Sequence, residues 1–201
     1  MFIPRHPVIE DQFCQFNETS TSTGVGAVIA YAGAVCYLVN AAAQQEAIVD
    51  LYTSTGSYSG AEAVPFGFLM QTVKTGYHQV HPAGYYMPGD LGSSDVIAQP
   101  KYNSSGVING TKYAPVGVAH LGIYDTIHYN VDTAGTTIMR PGDLLYVDKT
   151  GSYGKVNNAS TNIPTGVSTV VARVMKGASA AQVSANIANT TLYPIRIKLL
   201  V

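Results

Sequence analysis

The stretch Pro141-Gly142-Asp143-Leu144-Leu145-Tyr146-Val147 places turn residues directly before a short apolar segment. Its first four residues occur earlier in the chain as Pro88-Gly89-Asp90-Leu91, 53 residues upstream. Each copy follows an Ala-Gly pair, at Ala83-Gly84 and at Ala134-Gly135. Proline pre-sets φ and glycine admits turn conformations, so both copies are typical of a turn that leads into a strand.

A second marker, Pro-x-Gly followed by apolar residues, recurs with nearly the same period. It occurs at Pro65-Phe66-Gly67, Pro115-Val116-Gly117 and Pro164-Thr165-Gly166, which are 50 and 49 residues apart. Two markers that share a period of about 50 residues indicate an internal repeat of one β unit. We therefore expect a strand to begin within a few residues after each marker glycine.

Strand chemistry extends to most of the remaining chain. The segment Val167 to Met175 is rich in β-branched residues, and Tyr193 to Leu199 alternates apolar and basic residues, as a strand with one solvated face requires. The Ala-rich residues 178–187 have helical character and are short enough to be a connector, while Gln44 to Leu51 fits either a helical turn or a strand. The sequence predicts an all-β fold built from repeated small β-barrel units.

The repeat markers also predict domain boundaries. Residues 1–23 form an irregular N-terminal arm, in which Pro4 and Pro7 favour extended backbone. The first β unit is expected over residues 24–81, the second over 82–131 and the third over 132–201.

The charge content of the chain is unusually low. Asp, Glu, Lys and Arg make up 11% of the residues, against roughly 25% in typical soluble domains. A surface with so few charges lacks the usual protection against association. We therefore expect an obligate oligomer or a protein held in a larger assembly.

Two segments are predicted to supply the interface side chains. The arm carries apolar residues without a steady period and has no repeat partner within the chain. Folding back onto the chain's own barrel is the alternative for this arm. The second segment is a Tyr-rich loop, and tyrosine and methionine are enriched at interfaces. The expected interface residues are Phe2, Ile3, Val8, Ile9, Phe13, Phe16, Tyr85, Tyr86 and Met87.

Charge and cysteine usage argue against several other classes of protein. A net charge of −1 and singly scattered Lys and Arg residues give no basic surface for nucleic acid. Cys14 and Cys36 are expected to be reduced, partly buried thiols. The apolar residues 24–43 contain three glycines and lack flanking cations, so two buried strands with a turn at Gly33 are favoured over a membrane span.

No pattern of residues predicts catalysis. Phosphate-binding, dinucleotide-binding and serine-hydrolase motifs are absent from the sequence. His78 and His81 are three residues apart and would point to opposite faces of a strand, so we expect no metal site there. Asp90 and Asp143 occupy equivalent repeat positions and are expected to bond turn backbone. The sequence thus predicts a protein that is not an enzyme and has no cofactor, metal or catalytic residues.

The last third of the chain resembles the capsid decoration (cement) proteins of tailed bacteriophages. The resemblance rests on Pro141 to Val147, Gly154 to Ala159, Ile163 to Val174 and the terminal Ile195 to Val201. It extends more loosely over Pro115 to Val131. Unit one and the N-terminal arm have no counterpart in this match.

The resemblance implies small β-barrel or β-tulip-like units and a structural virion protein. Such a protein, made in the host cytoplasm, binds the outer capsid surface and stabilises joints between shell subunits. Its implied partners are the major capsid protein and further copies of itself, often as a homotrimer, without nucleic acid or membrane. Two alternatives stay open: a phage tail, baseplate or adhesin-type binding protein, and a carbohydrate-binding β-sandwich that uses exposed tyrosines.

Overall fold

The computed structural model is mostly β in character: strands are its main regular element, and the residues that it describes contain a single α-helix of eight residues. The predicted all-β character is therefore confirmed. The structure describes residues 2–5, 10–18, 28–40, 47–74, 95–97, 99–102, 108–131, 138–149 and 154–201.

Three sheets account for the strands of the described residues. The first half of the chain contributes β1 (Phe2–Pro4), β2 (Glu10–Glu18), β3 (Val28–Ala30), β4 (Val35–Leu38), β5 (Ile48–Leu51), a 3-10 helix (Gly60–Ala63), β6 (Gly67–Leu69), β7 (Thr72–Lys74), β8 (Asp95–Ile97) and β9 (Gln99–Tyr102). The second half contributes β10 (Ile108–Leu121), β11 (Ile123–Thr126), β12 (Tyr129–Asn130), β13 (Leu144–Val147), β14 (Val156–Asn157), β15 (Ala172–Lys176), α1 (Ala180–Ile187) and β16 (Ile195–Leu199).

Five strands of the first sheet close into a barrel, here called the N-terminal barrel. Their order is β2-β5-β4-β6-β10, and the ring closes because β10 pairs with β2 as well as with β6. Alternate residues such as Cys14, Cys36, Leu69 and Val118 form its buried core. Strand β9 extends the sheet along the first half of β10, and a small sheet of β3, β7 and β8 adds Ala30 and Val73 to the same core.

The second sheet, here called the C-terminal sheet, is a half-barrel of seven strands in the order β1-β11-β16-β15-β13-β14-β12. In β16, Ile195, Ile197 and Leu199 are buried, while Arg196 and Lys198 alternate with them on the outer side. This confirms the alternation predicted for the last strand. Strand β1, from the N-terminal segment, lies at one edge and pairs with β11.

The outer side of the N-terminal barrel packs against the C-terminal sheet. In β6, Leu69 faces the barrel core, whereas Phe68 belongs to the cluster that contains Leu145, Ile195 and Ile197. In β4, likewise, Cys36 faces the barrel core, whereas Val35 belongs to the cluster that contains Leu145. Because both faces of these strands are buried, their residues are almost continuously apolar instead of alternating.

Two close backbone contacts join the segment of β4, β5 and the 3-10 helix to loops of the C-terminal part of the chain. The amide of Val35 donates to the carbonyl of Gly154 over 2.7 Å, and the amide of Tyr58 donates to the carbonyl of Thr165 over 2.9 Å. Gly154 and Gly166 both have positive φ, and a Cβ at either position would collide with the backbone of Val35 or Tyr58. Glycine is required at both contacts for conformation and for space.

Several local predictions are confirmed by these elements. Residues 24–43 contain two strands, β3 and β4, joined by a turn at Gly33. The helical segment predicted over residues 178–187 is α1, which begins with a capping box formed by Ser179 and Gln182. The two cysteines are free and buried.

The three Pro-x-Gly markers do not occupy equivalent structural positions, and the repeated units are not confirmed. Strand β6 begins at Gly67, as predicted, but Gly117 lies inside the 14-residue strand β10. After Gly166 the next strand begins only at Ala172, so the long strand predicted from Val167 is wrong. Residues Val167 and Val171 are buried by packing and not by a strand ladder.

The extended N-terminal arm is likewise not confirmed. Strand β1 pairs with β11, and the nine-residue strand β2 pairs with β10 and β5 inside the barrel. These pairings correspond to the alternative in which this segment folds back onto the chain's own sheets.

Candidate functional site

A pocket of about 230 Å³ lies where the β3–β4 turn approaches the C-terminal sheet and the end of α1. It is here called the rim pocket. Its lining comes from four separate parts of the chain and comprises Tyr31, Ala32, Ile127, His128, Lys155, Asn186, Ile187, Asn189 and Leu192.

The turn that carries Tyr31 depends on one glycine. Gly33 has φ of +92°, and a Cβ there would lie 2.8 Å from Thr126 Oγ1 and 3.1 Å from a ring carbon of Phe2. Its amide donates to the carbonyl of Leu69 over 2.7 Å. Because only glycine fits this conformation and this space, the turn lies tightly against β11 and presents Tyr31 at the pocket edge.

The end of α1 is held to the sheet by Asn186. Its side-chain amide donates to the carbonyl of Ile127 over 2.9 Å, and its Oδ1 accepts from the amide of Tyr193 over 3.2 Å. Beyond the helix, Asn189 has a φ of 55°, a left-handed conformation that asparagine tolerates and that ends helices. These contacts fix Ile187 and Leu192 beside the pocket.

The rim pocket combines an apolar edge with a polar interior. Tyr31, Ile187 and Leu192 are large apolar side chains that are 45%, 42% and 53% exposed. Deeper in the pocket lies the imidazole of His128. This residue is 6% exposed, and its ring centre is 5.3 Å from that of Tyr31. Lys155 and Asn186 add polar groups to the lining. Such a site can take an apolar group and orient it through polar contacts.

A second, shallower concavity contains the turn of the Pro-Gly-Asp marker. Oδ2 of Asp143 accepts from the backbone amide of Arg140 over 2.9 Å and from the side chain of Asn158 over 3.4 Å. Gly142 in the same turn has a φ of +97°. The predicted turn role of Asp143 is confirmed, while its counterpart Asp90 lies outside the described residues.

A buried carboxylate joins β11 and β16 to the residue that follows β1, at the outer side of the C-terminal sheet. Asp125, in β11, accepts from Arg5 Nε over 2.7 Å and from Arg196 Nε over 2.8 Å, with a further contact of 3.2 Å to Arg196. Hydrogen bonds from Arg196, and then those from Arg5, hold the pKa of Asp125 below its usual value against the effect of burial. This cluster fastens the N-terminal residues to the last strand.

The sequence did not reveal the Asp125 cluster. Arg5 lies 120 residues and Arg196 lies 71 residues from Asp125 in the sequence. No local sequence pattern could therefore predict that these three side chains meet. The sequence signal was limited to Arg196, whose place on an alternating strand predicts a side chain on the solvated face.

The interface residues predicted in the arm are only partly available at the surface of this chain. Phe16 is 3% exposed and belongs to the barrel core, so its expected role at an interface is corrected to packing within the chain. Phe2 is half-buried and stacks on Tyr124 with ring centres 4.2 Å apart. Ile3 is half-buried in β1, opposite Asp125.

The other predicted interface residues are less fully described. The backbone of Phe13 lies in β2, opposite Gly117. The remaining members of the predicted set lie outside the described residues: Val8, Ile9, Tyr85, Tyr86 and Met87.

The sequence reasoning missed the rim pocket because its parts converge only in three dimensions. Among the tyrosines whose side chains the structure describes, Tyr31 at the pocket edge is exposed and the others are half-buried or buried, with Tyr52, Tyr124 and Tyr129 almost fully enclosed. Burial raises the pKa of Tyr129 to about 12, and its hydroxyl donates to the carbonyl of Tyr193 over 2.8 Å. The tyrosine content therefore serves the core as well as the surface.

Comparisons with protein-family models, curated proteins and solved structures find no match to this chain. Among the residues that the structure describes, no three His, Cys, Asp or Glu side chains are grouped so that they could hold a metal ion. Within the same residues, no helix is long and apolar enough to cross a membrane.

Proposed function

We propose that the chain is a non-enzymatic structural virion protein that binds the outer surface of an assembled bacteriophage capsid. In this role it stabilises joints between shell subunits. Its partners are the major capsid protein and further copies of itself, arranged as a homotrimer. The proposal needs neither a cofactor nor a nucleic acid or membrane partner.

The observation that carries the proposal is the apolar edge of the rim pocket. Three of the large exposed apolar side chains, Tyr31, Ile187 and Leu192, surround one concavity on a chain with only 11% charged residues. Contiguous exposed apolar groups with a polar surround mark protein interaction sites. A pocket of about 230 Å³ suits one protruding side chain of a partner better than an extended substrate.

The resemblance to decoration proteins supplies the identity of the partner. The segments on which it rests contain β13, β14, β15 and β16. These four strands are neighbours in the C-terminal sheet, in the order β16-β15-β13-β14. The resembling segments therefore form one continuous piece of structure, as a shared ancestral unit would require.

The repeated β-barrel or β-tulip-like units and the attachment arm belong to the same proposal. Two curled sheets in one chain are what two diverged copies of a unit would produce. Superposition of the N-terminal barrel on the C-terminal sheet tests this idea, since matching strand order would support it. Attachment through the arm is proposed only for its apolar residues that lie outside the described part, Val8 and Ile9.

A tail, baseplate or adhesin-type protein is the second candidate, because the rim pocket would serve any protein partner. A carbohydrate-binding β-sandwich is less well supported. Sugar sites use exposed aromatic rings with nearby carboxylates and amides, and the only aromatic residues that line the rim pocket, among those the structure describes, are Tyr31 and His128.

The proposal is tested by sedimentation of the purified chain with capsids from the phage that encodes it. The variant Tyr31→Ser/Ile187→Ser/Leu192→Ser removes the apolar edge, and we expect binding to weaken by at least about tenfold, since burying one such side chain is worth about 1.5–3 kcal/mol. The matched control Val64→Ser/Leu121→Ser/Leu200→Ser changes residues that are equally exposed elsewhere. Equal loss in both variants, or in neither, would contradict the assignment of the rim pocket.

A further inference from the structure

Cationic residues that are scattered along the sequence meet on the outer side of the C-terminal sheet. In β15 and β16, Arg173 lies directly opposite Lys198, and Lys176 lies opposite Arg196. The buried residues between them, Val174 and Ile197 among others, point the other way into the core. Together with Arg5, these residues define the basic face: Arg5, Arg173, Lys176, Arg196 and Lys198.

Electrostatic repulsion within the basic face lowers the stability of the isolated chain. Like charges directly opposite each other on neighbouring strands destabilise a sheet, and β15 and β16 carry two such pairs. Asp125 is the carboxylate bound within this group, and it is shared by Arg5 and Arg196. Two of the five cations thus share one carboxylate, and the structure gives no carboxylate partner to the other three, Arg173, Lys176 and Lys198, among the residues that it describes. A surface that concentrates positive charge at a cost to the fold favours a partner with negative charge.

The complementary charge is present at the other end of the same chain. Residues 149–201 contain no Asp or Glu and have six cations, namely Lys149, Lys155, Arg173, Lys176, Arg196 and Lys198. Residues 1–73 contain a single cation, Arg5, and six acidic residues, namely Glu10, Asp11, Glu18, Glu46, Asp50 and Glu62. This part of the chain builds most of the N-terminal barrel.

Two of these acidic residues flank one tyrosine on the barrel. Asp50 lies directly opposite Tyr37 on the neighbouring strand, and Oε1 of Glu62 accepts from the amide of Asn40 over 3.1 Å. The ring centre of Tyr52 lies 4.9 Å from that of Tyr37, and the Tyr52 hydroxyl donates to the backbone carbonyl of Glu62 over 2.9 Å, so Glu62 lies close to the same pair of rings. Burial, and then the charge of Asp50, raises the pKa of Tyr37. Asp50, Glu62 and Tyr37 are all half-buried and define the acidic face.

We propose that the basic face of one copy binds the acidic face of a second copy of this chain. The two faces are different surfaces of one molecule, so the contact is head-to-tail and leads either to a closed ring or to a filament. This inference rests on the proposed self-association and specifies its interface. The arginines supply forked donors that match carboxylates, and the exposed Met175 beside them adds apolar contact.

The first experiment measures self-association of the purified chain by sedimentation velocity as salt is varied. We expect oligomers at low salt that dissociate as ionic strength rises, because the Debye length falls from about 30 Å at 0.01 M to about 3 Å at 1 M. A chain that stays monomeric throughout the salt series would overturn the proposal.

The variant Arg173→Glu/Lys176→Glu separates association from folding. Both changes turn a like-charge pair into an opposite-charge pair with Lys198 or Arg196, so the fold should become more stable while self-association weakens by at least about tenfold. The control Lys74→Glu/Lys149→Glu makes the same change in net charge, in β7 and just after β13, off the basic face and outside the rim pocket, and should associate like the unchanged chain. Equal weakening in the control would overturn the proposal.

A complementary variant, Asp50→Lys/Glu62→Lys, should also be monomeric on its own. Mixing it with Arg173→Glu/Lys176→Glu should restore association, because the reversed basic face of one then meets the reversed acidic face of the other. Asp50 also accepts hydrogen bonds within the chain, from the side chain of Asn17 over 3.3 Å and from the amide of Leu51 over 2.7 Å. Circular dichroism confirms folding of each variant, and Glu62→Lys alone replaces the double variant if loss of these hydrogen bonds unfolds it. Folded variants that do not associate on mixing would overturn the pairing.

Two further outcomes distinguish other partners. Binding of duplex DNA by the unchanged chain, with loss in Arg173→Glu/Lys176→Glu and no self-association, would overturn the proposal in favour of a nucleic-acid face. Capsid binding is measured separately by sedimentation with particles. Retained self-association without capsid binding would support this interface and contradict the proposed capsid role, so the two claims fail independently.

Discussion

At the scale of single residues, the Asp125 cluster makes the stability of the chain depend on pH. The pKa of the Asp125 carboxyl is lower in the folded chain than in the unfolded chain. A carboxylate of this kind stabilises the fold above its unfolded pKa of about 4, and that contribution is lost as pH falls through the folded-state pKa. The cluster is therefore expected to weaken in acid and not near neutrality.

The variant Asp125→Asn tests this expectation. At pH 7 it should lower the free energy of unfolding by about 1–2 kcal/mol, since both arginine partners are about two-fifths exposed and gain water in return. The difference between the variant and the unchanged chain should shrink as pH falls below about 4. Urea unfolding followed by circular dichroism at several pH values measures it, and a difference that stays constant with pH would contradict the assignment.

At the scale of elements, the two N-terminal strands differ in what they hold together. Strand β1 lies at an edge of the C-terminal sheet, whereas β2 closes the N-terminal barrel through β10. Deletion of residues 1–5 should therefore cost stability but leave the barrel folded. Deletion of residues 1–23 removes β2, opens the barrel and exposes the core beneath Cys14 and Phe16.

Far-ultraviolet circular dichroism and thermal melting distinguish the two truncations. We expect a cooperative melt at lowered temperature for the chain without residues 1–5. The chain without residues 1–23 should lose cooperative melting, because burial of Phe16 alone is worth about 3–5 kcal/mol. A cooperative, β-rich melt of the longer truncation would show that the segment is an attachment arm after all.

Some of the elements could be predicted from the sequence, and others could not. Alternation in β16, the turn at Gly33 and the capped helix α1 follow from local chemistry, and all three are confirmed. The long strand expected from Val167 failed because burial by packing and burial in a strand demand the same apolar residues. Pro-x-Gly is turn chemistry at Gly166 and strand interior at Gly117, so one motif does not fix one conformation.

At the scale of the whole molecule, the two surfaces for which we propose functions consist of residues that are distant in sequence. The rim pocket needs a turn near residue 31, the β11–β12 connection and the end of α1, and the basic face needs β15 and β16 in register. Cations that stand singly in the sequence are thereby paired in space. The low charge content could be recognised from composition. Only the fold shows that acidic and basic residues lie on separate surfaces.

The central claim, that the chain is a structural component of a capsid surface, is tested most directly by electron cryo-microscopy of the native phage particle. The account predicts density for the chain on the outside of the shell, at joints between capsid subunits, with the edge of the rim pocket against the shell and the basic face against a neighbouring copy. Absence of the chain from the capsid surface, or its presence only in the tail or baseplate, would contradict it.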